Sequence, residues 1–271
     1  MSGNLYLVAT PIGNLEDITL RAIKVLKEVD IIAAEDTRHT LKLLNHLEIK
    51  KPLISYHRHN EEIKTTVLID KLLEGKNIAL VTDAGTPAIS DPGEEVVKKA
   101  IENDIKIIPI PGACALINAL IVSGFDTKQF SFYGFLPINK KNRKAKFDEL
   151  IKEKNTIILY EAPHKLLNTL KDISKYLGNV NIVLAKEITK IHEAFIRGKI
   201  KDIIDNTENI KGEFIIIIEP IEVEDKYSID ELTVDELYVK YEKQGLEKKE
   251  IIKRIAKDKS VNKNEIYKLF I

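Results

Sequence analysis

Short apolar segments rich in β-branched residues alternate with amphipathic helical patterns in the first half of the chain. This alternation is the feature that most restricts the fold, because it favours an α/β domain with a largely parallel sheet. Strands are predicted at residues 5–9, 31–34, 53–55, 78–81 and 107–110. Helices are predicted near residues 20–28, 40–46, 61–74 and 94–103.

A second α/β set follows, with strands predicted at residues 130–133, 156–160, 182–185, 194–197 and 214–219. Helices near residues 143–153 and 164–177 separate the first three of these strands. The strands at 182–185 and 194–197 are too close for a helical crossover, so this half should include antiparallel pairing. We therefore expect two α/β domains, at residues 1–122 and 123–222.

The last part of the chain has a different character. Residues 221–236 are acidic and polar, and helices are then predicted at 230–244, 247–258 and 263–270. The short connections have the spacing of a helix-turn-helix. Residues 228–271 are therefore interpreted as an appended helical module that binds nucleic acid, with a plain packing appendage as the alternative.

Charge and cysteine content exclude several classes of protein. Lys plus Arg equals Asp plus Glu, at 42 each, so the protein is not basic all over, although a local basic patch is possible. With Cys114 as its single cysteine it has no intrachain disulfide and no cysteine-based zinc site. Six histidines without metal-ligand spacing predict no metal. No signal peptide or membrane span is recognised, so we expect a cytoplasmic protein.

Three loops that contain glycine and proline follow strands of the first half, at residues 10–14, 82–87 and 111–113. In an open α/β sheet, ligands bind beyond the carboxyl ends of the strands, where glycine lets the backbone approach a ligand closely. The candidate binding residues in these loops are Pro11, Gly13, Asp83, Ala84, Gly85, Pro111, Gly112 and Ala113. A single loop of this kind is usually a plain turn, but three at one edge favour a ligand site.

The chemistry of these loops indicates what they bind. They lack Lys and Arg, whereas acidic residues such as Asp83 and Asp91 lie in or beside them. Neither a dinucleotide fingerprint nor a phosphate-binding loop is present. A pyrophosphate would meet repulsion here, whereas the sulfonium and ammonium of S-adenosylmethionine would not.

Two clusters of cations are candidates for contacts with nucleic-acid phosphates. They are Lys140, Lys141, Arg143 and Lys144 in the second half, and Lys248, Lys249, Lys253 and Arg254 in the helical module. A solvated charged loop is the alternative for the first cluster.

Seven motifs in sequence order carry a resemblance to a known family. The most specific is the eleven-residue stretch Asp-Ala-Gly-Thr-Pro-Ala-Ile-Ser-Asp-Pro-Gly at residues 83–93. The others are residues 7–15, 33–38, 54–57, 160–164, 186–190 and 211–213. Together they resemble the ribosomal RNA small subunit methyltransferase I family, a branch of the tetrapyrrole-methylase superfamily, over essentially the whole chain.

The resemblance implies transfer of a methyl group from S-adenosylmethionine to the 2′-hydroxyl of a cytidine in the decoding region of 16S ribosomal RNA. It also implies a cofactor cleft between two α/β domains, a homodimer, and the small ribosomal subunit or its RNA as partner. Tyr160, Ala185 and Gly212 join the candidate cofactor-binding residues on this basis. Cys114 stands where the family often has Ser or Thr.

Charged residues that directly follow strands are candidates for the chemistry. Asp36 or Glu187 is expected to assist at the ribose hydroxyl, Arg38 to hold a nearby phosphate, and His57 to lie at the same edge. The alternative is that such residues are helix caps and ordinary ion pairs, with Asp36 as an N-cap.

Two other functions stay open at this point. One is methylation of a tetrapyrrole or another small substrate on the same scaffold. The other is a non-enzymatic protein that binds nucleic acid through its terminal helices. The basic clusters argue against the first, and the large body with three glycine loops argues against the second.

Overall fold

Five short strands of mainly aliphatic residues form the first sheet. The structure is a computed structural model and describes residues 2–206, 212–220, 233–243 and 246–270. The strands are β1 (Leu5–Val8), β2 (Ile31–Ala34), β3 (Leu53–Ser55), β4 (Ile78–Val81) and β5 (Ile107–Ile110). They are hydrogen-bonded in the order β3-β2-β4-β1-β5, and every pair is parallel. The predicted parallel sheet is confirmed, and all its strands present their carboxyl ends at one edge.

Amphipathic helices cover both faces of this sheet. They are α1 (Leu20–Glu28), α2 (Thr37–His46), α3 (Glu61–Leu73) and α4 (Glu94–Glu102). Helices α1 and α2 contribute Leu26 and Leu44 to one apolar cluster, and α3 and α4 contribute Leu72 and Val96 to the other. Helix α2 begins three residues earlier than predicted, because the Asp36 side chain accepts a hydrogen bond from the Arg38 backbone N–H and caps the helix.

The second sheet is mixed. Its strands are β6 (Phe130–Phe135), β7 (Thr156–Glu161), β8 (Asn181–Lys186), β9 (Ala194–Lys199) and β10 (Phe214–Ile218). Their order is β6-β7-β10-β8-β9; β6 and β7 are parallel and the other pairs are antiparallel. The antiparallel pairing expected between the two close strands is therefore confirmed in β8 and β9.

Four helices accompany this sheet, namely α5 (Ala115–Ile121), α6 (Lys140–Leu150), α7 (Leu166–Leu177) and α8 (Ile200–Asp205). The prediction missed α5 and α8, which are short. It also began α6 at Arg143, whereas the Asn139 side chain caps the helix by accepting from the backbone N–H groups of Lys141 and Asn142. The basic run is therefore helical rather than a loop.

Helix α5 follows a strand of the first sheet but packs on the second. Leu116 and Leu120 belong to one apolar cluster with Ile158 of β7, Val183 of β8 and Ile215 of β10. The chain thus crosses between the sheets in the segment between β5 and α5. Residues 1–220 form one compact unit. The division of this unit into domains 1–122 and 123–222 stays a prediction.

Residues 221–271 form a second compact unit. It contains α9 (Val234–Lys243), α10 (Lys248–Asp258) and α11 (Lys263–Leu269), which share a core that includes Leu237, Ile252 and Ile266. Three helices were predicted here; the expected starts at residues 228 and 230, the helix end at 244 and the domain end at 222 lie outside the described residues. In the described part of the chain, no helix combines the length and apolarity needed to cross a bilayer.

Candidate functional site

The three glycine loops lie at the carboxyl edge of the first sheet and are tied to one another. The backbone N–H of Thr10 donates to the Gly85 carbonyl at 2.9 Å, and the N–H of Gly85 donates to the Thr10 carbonyl at 3.0 Å. The Thr86 hydroxyl donates to the Ala113 carbonyl at 3.0 Å. The expectation that these loops meet at one edge is therefore met.

A cavity of about 430 Å³ lies between these loops and the second sheet. This volume is in the range of small-molecule and cofactor sites. Its walls are formed by Ile12, Ala84, Gly85, Thr86, Ile89, Ser90, Asp91, Cys114, Ala115, Phe135, Tyr160, Glu161, Ala162, Pro163, Ala185, Ile188, Glu213, Phe214 and Ile215. The predicted residues Ala84, Gly85, Tyr160 and Ala185 are among them.

The other predicted cofactor-binding residues flank the cavity without lining it. They are Pro11, Gly13, Asp83, Pro111, Gly112, Ala113 and Gly212. Several adjoin a lining residue in sequence: Ile12 lies between two of them, and Glu213 follows another. Gly112 is needed for packing, because a Cβ atom there would lie 2.8 Å from the Ala9 Cβ.

Gly85 is the glycine that the cavity wall itself requires. Its φ angle is +89°, where side chains are disfavoured, and a Cβ atom there would lie 3.3 Å from the Cγ2 of Ile12. The backbone at this position therefore forms a surface that a ligand can approach closely.

The first glycine loop also contacts the segment that follows β8 of the second sheet. A Cβ atom on Gly13 would lie 2.5 Å from the Cγ of Lys190, which follows β8. The Lys190 ammonium bridges Glu187 Oε1 at 3.1 Å and Glu213 Oε2 at 3.0 Å. The first glycine loop thus packs against Lys190, whose ion pairs with Glu187 and Glu213 belong to segments that flank strands of the second sheet.

The charged groups in the cavity wall are all acidic. They are Asp91, Glu161 and Glu213, and among the described residues that line the cavity none is Lys, Arg or His. The Glu161 carboxylate is buried and already accepts hydrogen bonds from the Thr169 hydroxyl and the Ala162 N–H. These negatively charged carboxylates suit a ligand with cationic groups and disfavour a polyphosphate.

Burial acts on the ionisation of the wall residues. It raises the pKa of the Asp91 carboxyl, an effect that a hydrogen bond from Thr82 and the charge of Arg58 oppose and the charge of Asp83 reinforces. Burial likewise raises the pKa of Tyr160 to about 12, so this phenol stays neutral at pH 7. Burial also raises the pKa of Glu35, and the negative charges of Asp91 and Asp83 raise it further.

The predicted catalytic residues Asp36 and Arg38 lie at the same sheet edge but outside the cavity lining. The Arg38 guanidinium forms a two-point ion pair with the Asp36 carboxylate, at 3.1 and 2.7 Å, which holds the pKa of Asp36 well below its ordinary value. The Asp36 N–H donates to Asp83 Oδ1 at 3.0 Å. The Asp36 side chain thus acts as the N-cap of α2, which was the alternative to a catalytic role.

The other two predicted catalytic residues are also outside the lining. The His57 Nε2 lies 3.2 Å from the Asn60 amide nitrogen, and its Nδ1 is buried without a hydrogen-bond partner among the described residues. Glu187 Oε1 accepts from the Glu213 backbone N–H at 2.7 Å as well as from Lys190, and the first of these bonds is the main cause that lowers the pKa of Glu187. Its φ of +50° places it in the left-handed region.

Asp91 is the acidic lining residue that the sequence analysis noted beside the loops but did not select. It was overlooked because it lies ten residues beyond the end of β4 at Val81, whereas the selected residues directly follow strands. The signal that could have found it is its position in the longest motif, residues 83–93.

The basic residues predicted to bind RNA differ in whether their side chains already make contacts within the protein. Arg143 is engaged internally: its guanidinium donates to Asp172 Oδ2 at 2.7 Å and to the Thr169 hydroxyl at 2.8 Å. The Lys248 ammonium donates to the Phe270 carbonyl at 2.9 Å, and Arg254 lies over the Tyr241 ring. The exposed candidates for which the described residues show no such contact are Lys140, Lys141, Lys144, Lys249 and Lys253.

Solved structures with the same fold are known. Diphthine synthase gives a TM-score of 0.62 at 13% identity, covering 80% of this chain and 90% of that chain. A uroporphyrin-III C-methyltransferase from Thermus thermophilus, solved in complex with S-adenosyl homocysteine, gives a TM-score of 0.56 at 16% identity, covering 81% and 98% of the two chains. These similarities concern the fold.

Sequence comparison gives the family. The profile of the Tetrapyrrole (Corrin/Porphyrin) Methylases matches residues 4–204. The chain is 49% identical to ribosomal RNA small subunit methyltransferase I of Halalkalibacterium halodurans, over 99% of this chain and 94% of that protein. It is 48% identical to the protein of that name from Bacillus subtilis, over 98% and 93%. The chain therefore belongs to the tetrapyrrole methylases and, within them, to the ribosomal RNA small subunit methyltransferase I family.

Proposed function

We propose that this protein is an enzyme that transfers a methyl group from S-adenosylmethionine to the 2′-hydroxyl of a cytidine in the decoding region of 16S ribosomal RNA. The observation that carries the proposal is the identity of nearly half the residues, over almost the full length, to proteins named for methylation of small-subunit ribosomal RNA. The cavity supplies an independent physical argument, because its shape and charge suit this cofactor.

The residues around the cavity fit S-adenosylmethionine on three counts. Gly85 leaves open the space that a Cβ atom would fill. The ionisable carboxylates in the wall attract a cationic ligand, and the aromatic and aliphatic side chains of Tyr160, Phe135 and Ile188 offer apolar surface. We propose that Ala84, Gly85, Tyr160 and Ala185 contact the cofactor, and that Pro11, Gly13, Asp83, Pro111, Gly112, Ala113 and Gly212 hold the wall in shape.

When bound, the cofactor would supply an electrophilic methyl group on a positively charged sulfur, with the neutral thioether as the leaving group when the S–C bond breaks. The protein then has to orient the ribose hydroxyl and accept its proton as the new C–O bond forms. Asp36 and Glu187 stay candidates for this base, yet both carboxylates are held in ion pairs and have lowered pKa values, which weakens them as bases. Asp91 lines the cavity and has a raised pKa, so it is the stronger candidate.

The proposed roles of Arg38 and His57 concern the substrate. The side chain of Arg38 is 88% exposed at the sheet edge, where its charge is available to a phosphate. The Nδ1 of His57, which has no hydrogen-bond partner among the described residues, supports a role for this residue at the same edge. The exposed lysines of α6 and α10 are proposed as additional RNA contacts, and Arg143 as a residue that orders α6.

The experiment uses the full chain and unmodified small subunits. Calorimetry should detect binding of S-adenosylmethionine, and labelled methyl groups should appear in 16S RNA at a single cytidine 2′-oxygen, located by mass spectrometry of nuclease fragments. Methylation of a tetrapyrrole but not of subunits would favour the small-substrate alternative. Binding of RNA without turnover would favour a non-enzymatic protein.

Two further properties follow from the family. We propose a homodimer, which the resemblance to the family implies. Sedimentation equilibrium tests this. Because ribosomal subunits of bacteria are cytoplasmic, the proposed activity takes place in the cytoplasm.

A further inference from the structure

Two neighbouring strands of the first sheet end beside the cavity, and the segments that follow them carry exposed cations. The Tyr56 N–H donates to the Ala34 carbonyl at 2.8 Å, which fixes the segment after β3 beside the segment after β2. The basic residues of these two segments, which we call the basic rim, are Arg38, His39, Lys42, Arg58 and His59, all of them exposed.

Arg58 connects the basic rim to the cavity wall. Its Nη2 donates to the backbone carbonyl of Ser90, and both Ser90 and Asp91 line the cavity. A guanidinium carries five N–H donors, and Arg58 makes no other hydrogen bond to the described residues. One bond therefore holds this side chain at the cavity mouth while most of its donors stay available.

Helix geometry places two more cations together. Arg38 and Lys42 are four residues apart on α2, so their side chains share one face of the helix. This face begins at the carboxyl end of β2, next to the segment that carries Arg58.

The acidic groups near the basic rim are mostly occupied. Asp36 is paired with Arg38, and Glu61 Oε1 accepts from the Tyr56 hydroxyl and the Gly93 N–H. Glu62 is the exposed carboxylate on the first turn of α3. With Arg38 set against Asp36, the remaining cations are Lys42 and Arg58, and the charge of Arg58 also acts on Asp91. Both cations lie near a cavity whose own charges are negative.

We propose that the basic rim, with Arg58 at its centre, binds phosphates of the RNA backbone adjacent to the methylated nucleotide. The strand then enters the cavity across the carboxyl ends of β2 and β3. This inference rests on the proposed function. A guanidinium matches the geometry of phosphate oxygens, and the bond to Ser90 orients it before RNA arrives. Such contacts position the backbone and carry no sequence information.

The test compares Arg58→Gln with Lys76→Gln. Lys76 is exposed and precedes β4, so this control removes the same charge at the opposite edge of the same sheet. Arg58→Gln should weaken binding of small subunits about tenfold or more at physiological salt. The slope of log affinity against log salt should become shallower by about 0.7–0.9 for each lost phosphate contact. Affinity for S-adenosylmethionine should be unchanged, and Lys76→Gln should behave as the wild type.

Lys42→Gln provides a second variant, because Lys42 is exposed and is not among the residues that line the cavity. It should reduce subunit affinity in the same direction. An unchanged affinity and salt slope in both rim variants, with an active wild type, would overturn the inference. A loss of cofactor affinity in Arg58→Gln as large as its loss of subunit affinity would also overturn it. So would a loss of affinity for subunits without a loss of affinity for naked 16S RNA, because that result would indicate a contact with ribosomal protein. An inactive wild type would instead contradict the proposed function.

Discussion

Gly212 and Glu187 are so close that a Cβ atom on the glycine would lie 2.6 Å from the Cγ of the glutamate. This proximity places the Glu187 carboxylate where it accepts from the backbone N–H of Glu213. It joins the segment after β8 to the segment before β10. The residue chosen from the sequence as a possible base thus has a structural task that its position after a strand did not reveal.

Glu187→Gln should lower stability in a pH-dependent way. The folded state lowers the pKa of Glu187, so the ionised group stabilises the fold above its ordinary pKa of about 4.3, and this contribution is lost as pH falls through the folded pKa. Urea unfolding at pH 7 should show a loss of roughly 1–2 kcal/mol, shrinking toward zero at acidic pH. Glu213→Gln, whose side chain is 78% exposed, should cost less than about 1 kcal/mol. An equal loss at all pH values would contradict the assignment to ionisation.

Gly85→Ala should weaken S-adenosylmethionine binding by tenfold or more, since the added Cβ enters the cavity wall beside Ile12. Gly124→Ala is the matched control, because Gly124 has a similar φ of +83° and open space around its Cβ position. Both substitutions should cost about 1–2 kcal/mol of stability from the left-handed backbone. Calorimetry should separate them, and equal cofactor affinity in the two variants would show that this wall does not contact the cofactor.

Asp91→Asn should lower the single-turnover rate of methyl transfer by about 10²-fold or more. Because only the ionised carboxylate accepts a proton, the wild-type rate should rise with pH through the raised pKa of Asp91, and the variant should lose this dependence. Glu35, Asp83, Arg58 and Tyr160 interact with the same group, so the apparent pKa belongs to the cluster. A larger loss in Asp36→Asn or Glu187→Gln would instead support the bases chosen from the sequence.

Removal of residues 221–271 should leave a folded protein that binds S-adenosylmethionine, because each unit has its own apolar core. Binding of 16S RNA should become weaker and less dependent on salt. The double variant Lys249→Gln/Lys253→Gln should reproduce part of this loss while the helical unit stays folded, as judged by circular dichroism. Undiminished RNA affinity in both proteins would show that the terminal helices are not an RNA contact.

The fold was predictable where one periodicity governed each segment. Strands such as β2 and β4 match their predicted bounds, since apolar runs flanked by turns leave few alternatives. Helix α5 was missed because its sequence, Ala-Leu-Ile-Asn-Ala-Leu-Ile, is apolar on most sides and lacks an amphipathic pattern.

The site was predictable to the level of the loops but not of the side chains. The glycine loops were recognised because backbone constraints appear in the sequence as Gly and Pro. The neighbours of Asp36 and Glu187 are set by tertiary contacts, and sequence position alone does not distinguish an acid that faces a cavity from one held in an ion pair.

The crossing of the chain from β5 to α5 has a consequence for thermal stability. Cys114 and Ala115 line the cavity and lie where the chain leaves one sheet to pack on the other. A ligand held against this segment would connect both sheets, so its binding energy should stabilise them jointly. Heating the first unit with the cofactor bound should therefore shift the melting of both sheets to higher temperature by the same amount.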